Sequence, residues 1–291
     1  GLGDVYKRQL LADVERRIAS VHQLDAVVNA MRGIAGARAQ QGRQILPAIR
    51  TYAQTAGRAI AQARRMHIGV PEPVDHPAAR RQPGLILFGA EQGFAGAYPE
   101  RVLDVAANDF ADAHVFLVGA RSVALARERG LALAWQTSLP SRVAELSGLA
   151  IALLDALSEY LARAGAVPVT MVYPFWTPGQ GLKIIHRKLL PLDAETVPAT
   201  GSGPVPLSNL PAAKLLEKLV QEYVFAQLCE AAAEAFAAEN EARMATMAAA
   251  KTHIDGKLAA LQLEERLTRQ SEITAEVVEL AAGARFRIHR R

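Results

Sequence analysis

A single cysteine, Cys229, stands in a chain of 291 residues, which excludes a disulfide framework and any multi-cysteine metal site. Aromatic residues make up only 5%, little for one large compact core. No apolar run reaches the ~18 residues of a membrane span; the candidates near Leu149–Leu157 and Val277–Ala284 are short and interrupted. A secretory signal is not expected, because Asp4, Lys7 and Arg8 occupy the place of its apolar segment. Charge of one sign is also scarce: 33 Lys and Arg against 29 Asp and Glu leave +4. The only basic cluster, Arg285, Arg287, Arg290 and Arg291, is too small to indicate a nucleic-acid partner. What is present is alanine, a strong helix former that allows close helix approach. With 51% hydrophobic residues the chain is a folded one, and its length suggests about two domains.

Three zones differ in pattern. Residues 1–9, GLGDVYKRQ, do not share the pattern that begins at Leu10 and read as an artificial or sequence-assembly remnant. From residue 10 to 66, Ile18, Val21, Leu24, Val28, Met31, Ile34 and Ala35 recur at helical steps, and Ala53, Ala56, Ile60 and Ala63 extend the stripe. Pro47 is expected to kink or break this helix. Residues 67–83 carry four prolines and form a linker. Across 84–200 short apolar runs, Leu85–Phe88, Val115–Val118, Pro168–Tyr173 and Ile184-Ile185, alternate with helical stretches to about Asp112, over Ser122–Arg129 and over Leu146–Ala164. Strands alternating with helices predict a Rossmann-like α/β domain. A second linker spans 201–211. From 212 to 291 a stripe starting with Leu215, Leu216, Leu219, Val220, Tyr223, Val224 and Leu228 predicts another long helix, with Pro211 at its start and Ser208 or Asn209 as cap.

Fully helical, the first zone would run roughly 85 Å and the last about 110 Å. Neither can bury its stripe on a small domain alone, so each needs a partner helix. The predicted fold is an α/β insert on a long antiparallel two-helix coiled coil formed by the N- and C-terminal segments. The C-terminal arm is expected to overshoot its partner by about 18 residues, ~27 Å of unpaired helix.

Catalytic chemistry is hard to find. The Gly89–Gly96 turn follows a strand and precedes a helix, but lacks dinucleotide-fingerprint spacing and the Gly-Lys-Ser/Thr of a phosphate loop. It reads as a tight backbone turn. His22, His67, His76, His114, His186, His253 and His289 are scattered without metal-ligand spacing. Cys229 lies on an apolar helix face without a positive neighbour, as a packing residue does. Ser141, Ser147 and Ser158 have no nucleophile-elbow context. No catalytic, cofactor or metal residue is assigned. Arg269–Thr274 is unusually polar for a core-facing turn and falls where the coil is expected to be single.

Several motifs do match a family. Ile18-Ala-Ser-Val-His-Gln with Ala30-Met31-Arg32-Gly33-Ile34-Ala35, then Ala242-Arg243-Met244 with Met247, Leu261-Gln262-Leu263, and Arg269-Gln270-x-x-Ile273-Thr274-x-Glu276 resemble the gamma subunit of F-type ATP synthases. The likeness runs from Leu10 to Phe286 and keeps the order helix, α/β insert, helix. Gly93–Gly96 resembles the glycine-rich turn of the family's central domain, which is structural and binds no nucleotide.

The resemblance implies a central-stalk rotor. It would enter a hexamer of three alpha and three beta subunits, rest on a membrane c-ring beside epsilon, and couple ion-driven rotation to the catalytic sites, with no catalytic site of its own. It would sit peripherally on the cytoplasmic face of the bacterial plasma membrane, without spanning it and without nucleic acid. By the same resemblance Arg269, Gln270 and Thr274 would hydrogen-bond a beta-subunit catch loop, Met31 and Arg243 fall in the coupling region, and the apolar tip from Val277 to Ile288 would turn in the hexamer's upper sleeve. Arg266, Arg38 and the c-ring-proximal set Pro206, Ser208 and Asn209 depart from the family's residues, as in an outlying or ion-specialised branch. A coiled-coil scaffold or adaptor unrelated to ATP is the alternative reading of the same pattern, and an enzyme built on the α/β insert is a third.

Overall fold

The computed structural model describes residues 2–66, 82–110, 112–177, 179–192 and 207–288, with the side chains of 2–8, 66 and 279–288 left aside. The 67–81 and 193–206 segments, most of both expected linkers, therefore lie outside the described residues. The elements run α1 (Leu2–Met66), β1 (Gly84–Phe88), α2 (Tyr98–Phe110), β2 (His114–Val118), α3 (Ala120–Glu128), β3 (Trp135–Thr137), α4 (Leu146–Ala164), β4 (Val169–Thr177), β5 (Gly181–Leu190) and α5 (Ala212–Ile288). The chain divides into two compact units, one of residues 1–33 with 245–291 and the other of residues 34–244. Both are built on α1 and α5, which pair antiparallel in each, so the expected fold class holds.

In the unit of residues 1–33 and 245–291, pairing follows a narrow seam. Val28 packs with Met247, Ile254 and Leu258, with Ile18, Val21, Met31 and Ala250 beside them. The antiparallel sense is plain in the ion pairs: Glu15, Arg17 and Asp25 of α1 meet Arg269, Glu264 and Lys251 of α5. Two sequence expectations fail here. Leu24 is 52% exposed, because a two-helix seam repeats every 3.5 residues and takes Val21, Asp25 and Val28 instead. The helix backbone of α1 already runs through residues 2–9, and the paired coil reaches at least to Arg269, which was expected to be unpaired.

The unit of residues 34–244 is a three-layer α/β/α domain in which α5 is one of the layers. Its sheet has the order β3-β2-β1-β4-β5, with β4 and β5 antiparallel and the other pairs parallel. Alternation along the strands sorts the two faces. Leu85, Leu87, Val115, Leu117 and Val172 face the cluster that holds Leu103, Ala106 and Phe110 of α2 and Val123 and Ala126 of α3. Ile86, Phe88, Phe116, Val118 and Met171 face α4 and the α5 residues Val224, Leu228, Ala232 and Phe236. Helix α5 is buried on all sides from residue 226 to 243, and Ala231, Ala232, Ala233, Ala235, Ala237 and Ala238 are what make this possible. Small side chains let sheet and helix backbones close on it together.

Helix α1 continues through Pro47 without a break. Pro47 removes one intrahelical bond, yet neighbours on either side hold the helix: Leu46 is buried in the sheet-facing cluster, and Arg50 pairs with Glu230 and Glu234 of α5. In this unit Ile34, expected on the buried stripe, is 55% exposed. Strand β3 was also not foreseen; it has three residues, half-buried or exposed, and so no apolar run to mark it.

Candidate functional site

The chemistry of the fold gathers where β1 ends. In open α/β sheets the strand-order reversal leaves a crevice at the carboxyl ends of the strands, the usual ligand position. Here β1 lies between β2 and β4, and its C-terminal turn, Gly89–Ala97, lines that place. Gly89 N–H donates to Val118 O at 2.8 Å and Ala90 N–H to the buried Ser122 Oγ at 2.8 Å. A side chain at Gly89 would drive its Cβ to 2.3 Å from Ser122, and a Cβ at Gly119, where φ is +108°, would fall within 2.7 Å of the carbonyl oxygens of Gly89 and Ala90. The two glycines are required by this close approach.

The next two amides turn toward α5. Glu91 N–H donates to Glu239 Oε2 at 2.9 Å and Gln92 N–H to Glu239 Oε1 at 3.1 Å. Arg243 binds the same carboxylate, donates through Nε to Gly93 O at 3.3 Å, and reaches Asn240 Oδ1 at 3.1 Å. Glu239 is 3% exposed and Arg243 6%. Burial pushes the Glu239 carboxyl above its ordinary range, against the opposing pull of the two amides and Arg243. Burial, with the nearby Glu239 charge, likewise drives the Tyr98 phenol well upward. Glu91 itself ties the turn to its neighbours, its Oε2 accepting from Ala120 N–H at 2.9 Å and Leu139 N–H at 2.7 Å. Backbone amides suited to a phosphate are thus already taken by a carboxylate of the chain.

A second polar group flanks Glu239 on α5. Glu230 accepts from Arg50 Nε at 2.9 Å and from Arg187 of β5 at 3.1 Å; Glu234 pairs with Arg50 and Glu241 with Arg43. Each of these buried carboxylates has a cationic partner, as a buried charge requires. Cys229, on the adjoining turn, is a free and buried thiol raised by burial to about 11. It packs in the sheet-facing cluster.

The residues singled out in the sequence fall in different places. Arg269 is exposed and lies 3.3 Å from Glu15 and 2.8 Å from Glu265. Gln270 and Thr274 are exposed, the Thr274 hydroxyl donating to Gln270 O at 2.8 Å. With Leu267, Ser271, Ala275 and Val278 they line one shallow groove on α5. Met31 belongs to the seam of the first unit. Arg243 belongs to the other unit, turned inward to Glu239. Ser208 does not cap α5: its Oγ accepts from Leu210 N–H, while Pro211 O takes the first helical bond from Leu215. Asn209 is exposed, and Pro206 lies outside the described residues. Glu239 and Glu91 were missed. The one available signal was a glutamate four residues before Arg243 on a helix. Among the described residues no helix is long and apolar enough to cross a membrane.

A family model described as ATP synthase matches residues 10–285. The ATP synthase gamma chain of Frankia casuarinae is 26% identical, with 94% of this chain and 96% of that relative covered. The gamma chain of Anaeromyxobacter sp. (strain Fw109-5) is 27% identical, covering 94% and 98%. The fold is shared with the rotor of the Euglena gracilis mitochondrial ATP synthase in rotational state 1, at TM-score 0.56 and 14% identity over 94% of this chain and all of that one. It is shared also with a central-stalk/c-ring structure of the Tetrahymena thermophila mitochondrial ATP synthase, at TM-score 0.58 and 16% identity over 77% and 99%. On the match over residues 10–285, the chain belongs to the gamma-subunit family of F-type ATP synthases, the subunits of the central stalk.

Proposed function

We propose that this central-stalk subunit turns within a hexamer of three alpha and three beta subunits, rests on a c-ring beside epsilon, and has no catalytic site of its own. It would do so on the cytoplasmic face of a bacterial plasma membrane. One asymmetric axis surrounded by three catalytic sites contacts each differently, so its angle sets the relative stability of their open and closed states.

The observation that carries the reading is the outer face of α5 between Leu263 and Val278. There Leu263, Leu267, Ile273, Val277 and Val278 are each at least 56% exposed, interleaved with Arg269, Gln270 and Thr274. A run of exposed apolar side chains with polar groups among them is the composition of a surface that partners cover. In this proposal Arg269, Gln270 and Thr274 bind beta subunits, and Met31 contributes to coupling through the helix seam. Arg243 serves coupling from inside the α/β domain, and Pro206, Ser208 and Asn209 lie toward the c-ring.

The test is reconstitution. Purified chain mixed with alpha and beta subunits of the same source should form one complex whose ATP hydrolysis exceeds that of alpha and beta alone. Failure to assemble under any nucleotide condition would overturn the proposal.

A further inference from the structure

The turn after β1 presents the backbone of an anion site and is filled from within. We infer that Glu239 is the resident ligand of this cradle, and that its capture by the Glu91 and Gln92 amides fixes the rotational position of α5 inside the α/β domain. Three observations support this. The Glu239 carboxylate spends both oxygens on the two amides and is closed over by Arg243, which also holds Gly93 O. The contact spans 148 residues of sequence, so it joins α5 to the β1 turn and not to its own helix neighbours. On the turns beside it α5 carries Ala235, Ala237, Ala238 and Ala242, small side chains that leave the polar contacts of this stretch to define its angle. Paired hydrogen bonds to a carboxylate have one geometry, so they set the angle at which α5 meets the β1 turn, beside the Arg43 and Arg50 pairs that hold it to α1.

The key extends through the turn. Glu91 is bound through its N–H to Glu239 and through its carboxylate to Ala120 and Leu139, so α5, β1, α3 and the segment after β3 share one hydrogen-bonded chain. Packing of Ala90, Ala95, Tyr98, Val102 and Ala242 shields it from water. The residues act by position and touch no substrate. For torque the inference rests on the proposed stalk function; for the cradle it does not.

The test replaces the ligand. In full-length Glu239→Ala, amide hydrogen exchange at Glu91 and Gln92 should accelerate at least about tenfold, the population ratio set by a hydrogen bond to a charged acceptor. Leu87 and Leu117 in the sheet should keep their protection. Acetate should slow exchange at the two amides again, while chloride at equal ionic strength should not. Glu239→Gln, which keeps one carbonyl acceptor, should fall between. Unchanged exchange at Glu91 and Gln92, or equal acceleration through β1 and β2, would overturn the cradle. In the complex with alpha and beta subunits, a load fixed to the α/β domain should show a wider angular spread in Glu239→Ala, narrowed by acetate. An unchanged spread in a complex that assembles and hydrolyses ATP would overturn the keying of α5, whereas a complex that never assembles would overturn the stalk proposal and leave the exchange result standing.

Discussion

Arg269 of α5 lies 3.3 Å from Glu15 of α1, an ion pair between residues 254 positions apart. Both side chains are about half exposed, and Arg269 is shared with Glu265 of its own helix. Such pairs contribute about 0.2–1 kcal/mol, screened by salt. Glu15→Ala should therefore shift the urea midpoint only slightly, by under about 1 kcal/mol. Arg269→Ala should be as mild for folding yet lower ATP hydrolysis in the reconstituted complex severalfold, because the proposal gives this guanidinium a beta-subunit partner. Equal, small effects of both variants on hydrolysis would reduce Arg269 to a surface ion pair.

Arg50 is a different case, since its partners are buried. Glu230 and Glu234 are 7% and 5% exposed, and Arg50 bonds both. The hydrogen bond to Glu230, helped by the charges of Glu234 and Glu230, raises the Arg50 pKa against its partial burial, while burial raises that of Glu234. Arg50→Ala takes from Glu234 its paired cation and leaves Glu230 with Arg187. The cost should be about 2–3 kcal/mol, below that of a wholly buried pair because Arg50 is itself half exposed. The double variant Arg50→Met with Glu234→Gln should recover part of it, measured by denaturant unfolding. Additive losses in that pair would show the two residues to be energetically independent.

The architecture was legible in the sequence wherever burial is one-sided. Strand runs such as Leu85–Phe88 and the helical spacing of α4 mark themselves, because contrast between apolar and polar positions is the signal. The same rule explains what stayed hidden. Around residues 231–238 α5 is covered on every side, and alanine offers no contrast from which an inward face can be inferred. The three residues of β3 are too few to show a period. The grip of Glu239 on Glu91 and Gln92 is a long-range hydrogen bond of a common residue, and its one local mark, Arg243 four residues on, is shared with any solvated helix pair. Leu24 and Ile34 misled for a related reason: both sit at helical spacing, beside the seam and not in it.

Pro47 sits on an exposed face inside α1, with Thr51 Oγ1 donating to its carbonyl at 2.9 Å. A proline within a helix forfeits the bond to the carbonyl four residues earlier and crowds it, a penalty of about 3 kcal/mol relative to alanine. Since the helix already runs through, Pro47→Ala has only this penalty to remove. Stability should rise by about 1–2 kcal/mol, part of the gain being lost to a less restricted unfolded chain. A calorimetric melt checks it. No gain would mean that α1 is bent at Pro47 to suit its packing.

Cys229 gives the stability an alkaline limb whose sign follows from its burial. The thiol is 8% exposed, packs against the sheet, and titrates at about 11 where an unburied one titrates near 9. A raised folded pKa means that the folded chain holds this proton longer than the unfolded chain. Its contribution is complete below the ordinary thiol value and declines as pH climbs toward 11. Between pH 8 and 10 the loss amounts to about 1 kcal/mol. Tyr173, raised by burial to about 12, and Tyr223, raised in the same sense, add losses of like sign, so the total slope alone does not identify the thiol. The comparison with Cys229→Ala does, because the tyrosines are common to both chains. That variant should be less stable at pH 8, having left a small void beside Leu228 and Ala232, and its deficit should shrink by about 1 kcal/mol at pH 10. Parallel stability curves from pH 8 to 10 would mean that the thiol ionises as readily folded as unfolded, and that α5 opens at this turn far more often than its packing implies.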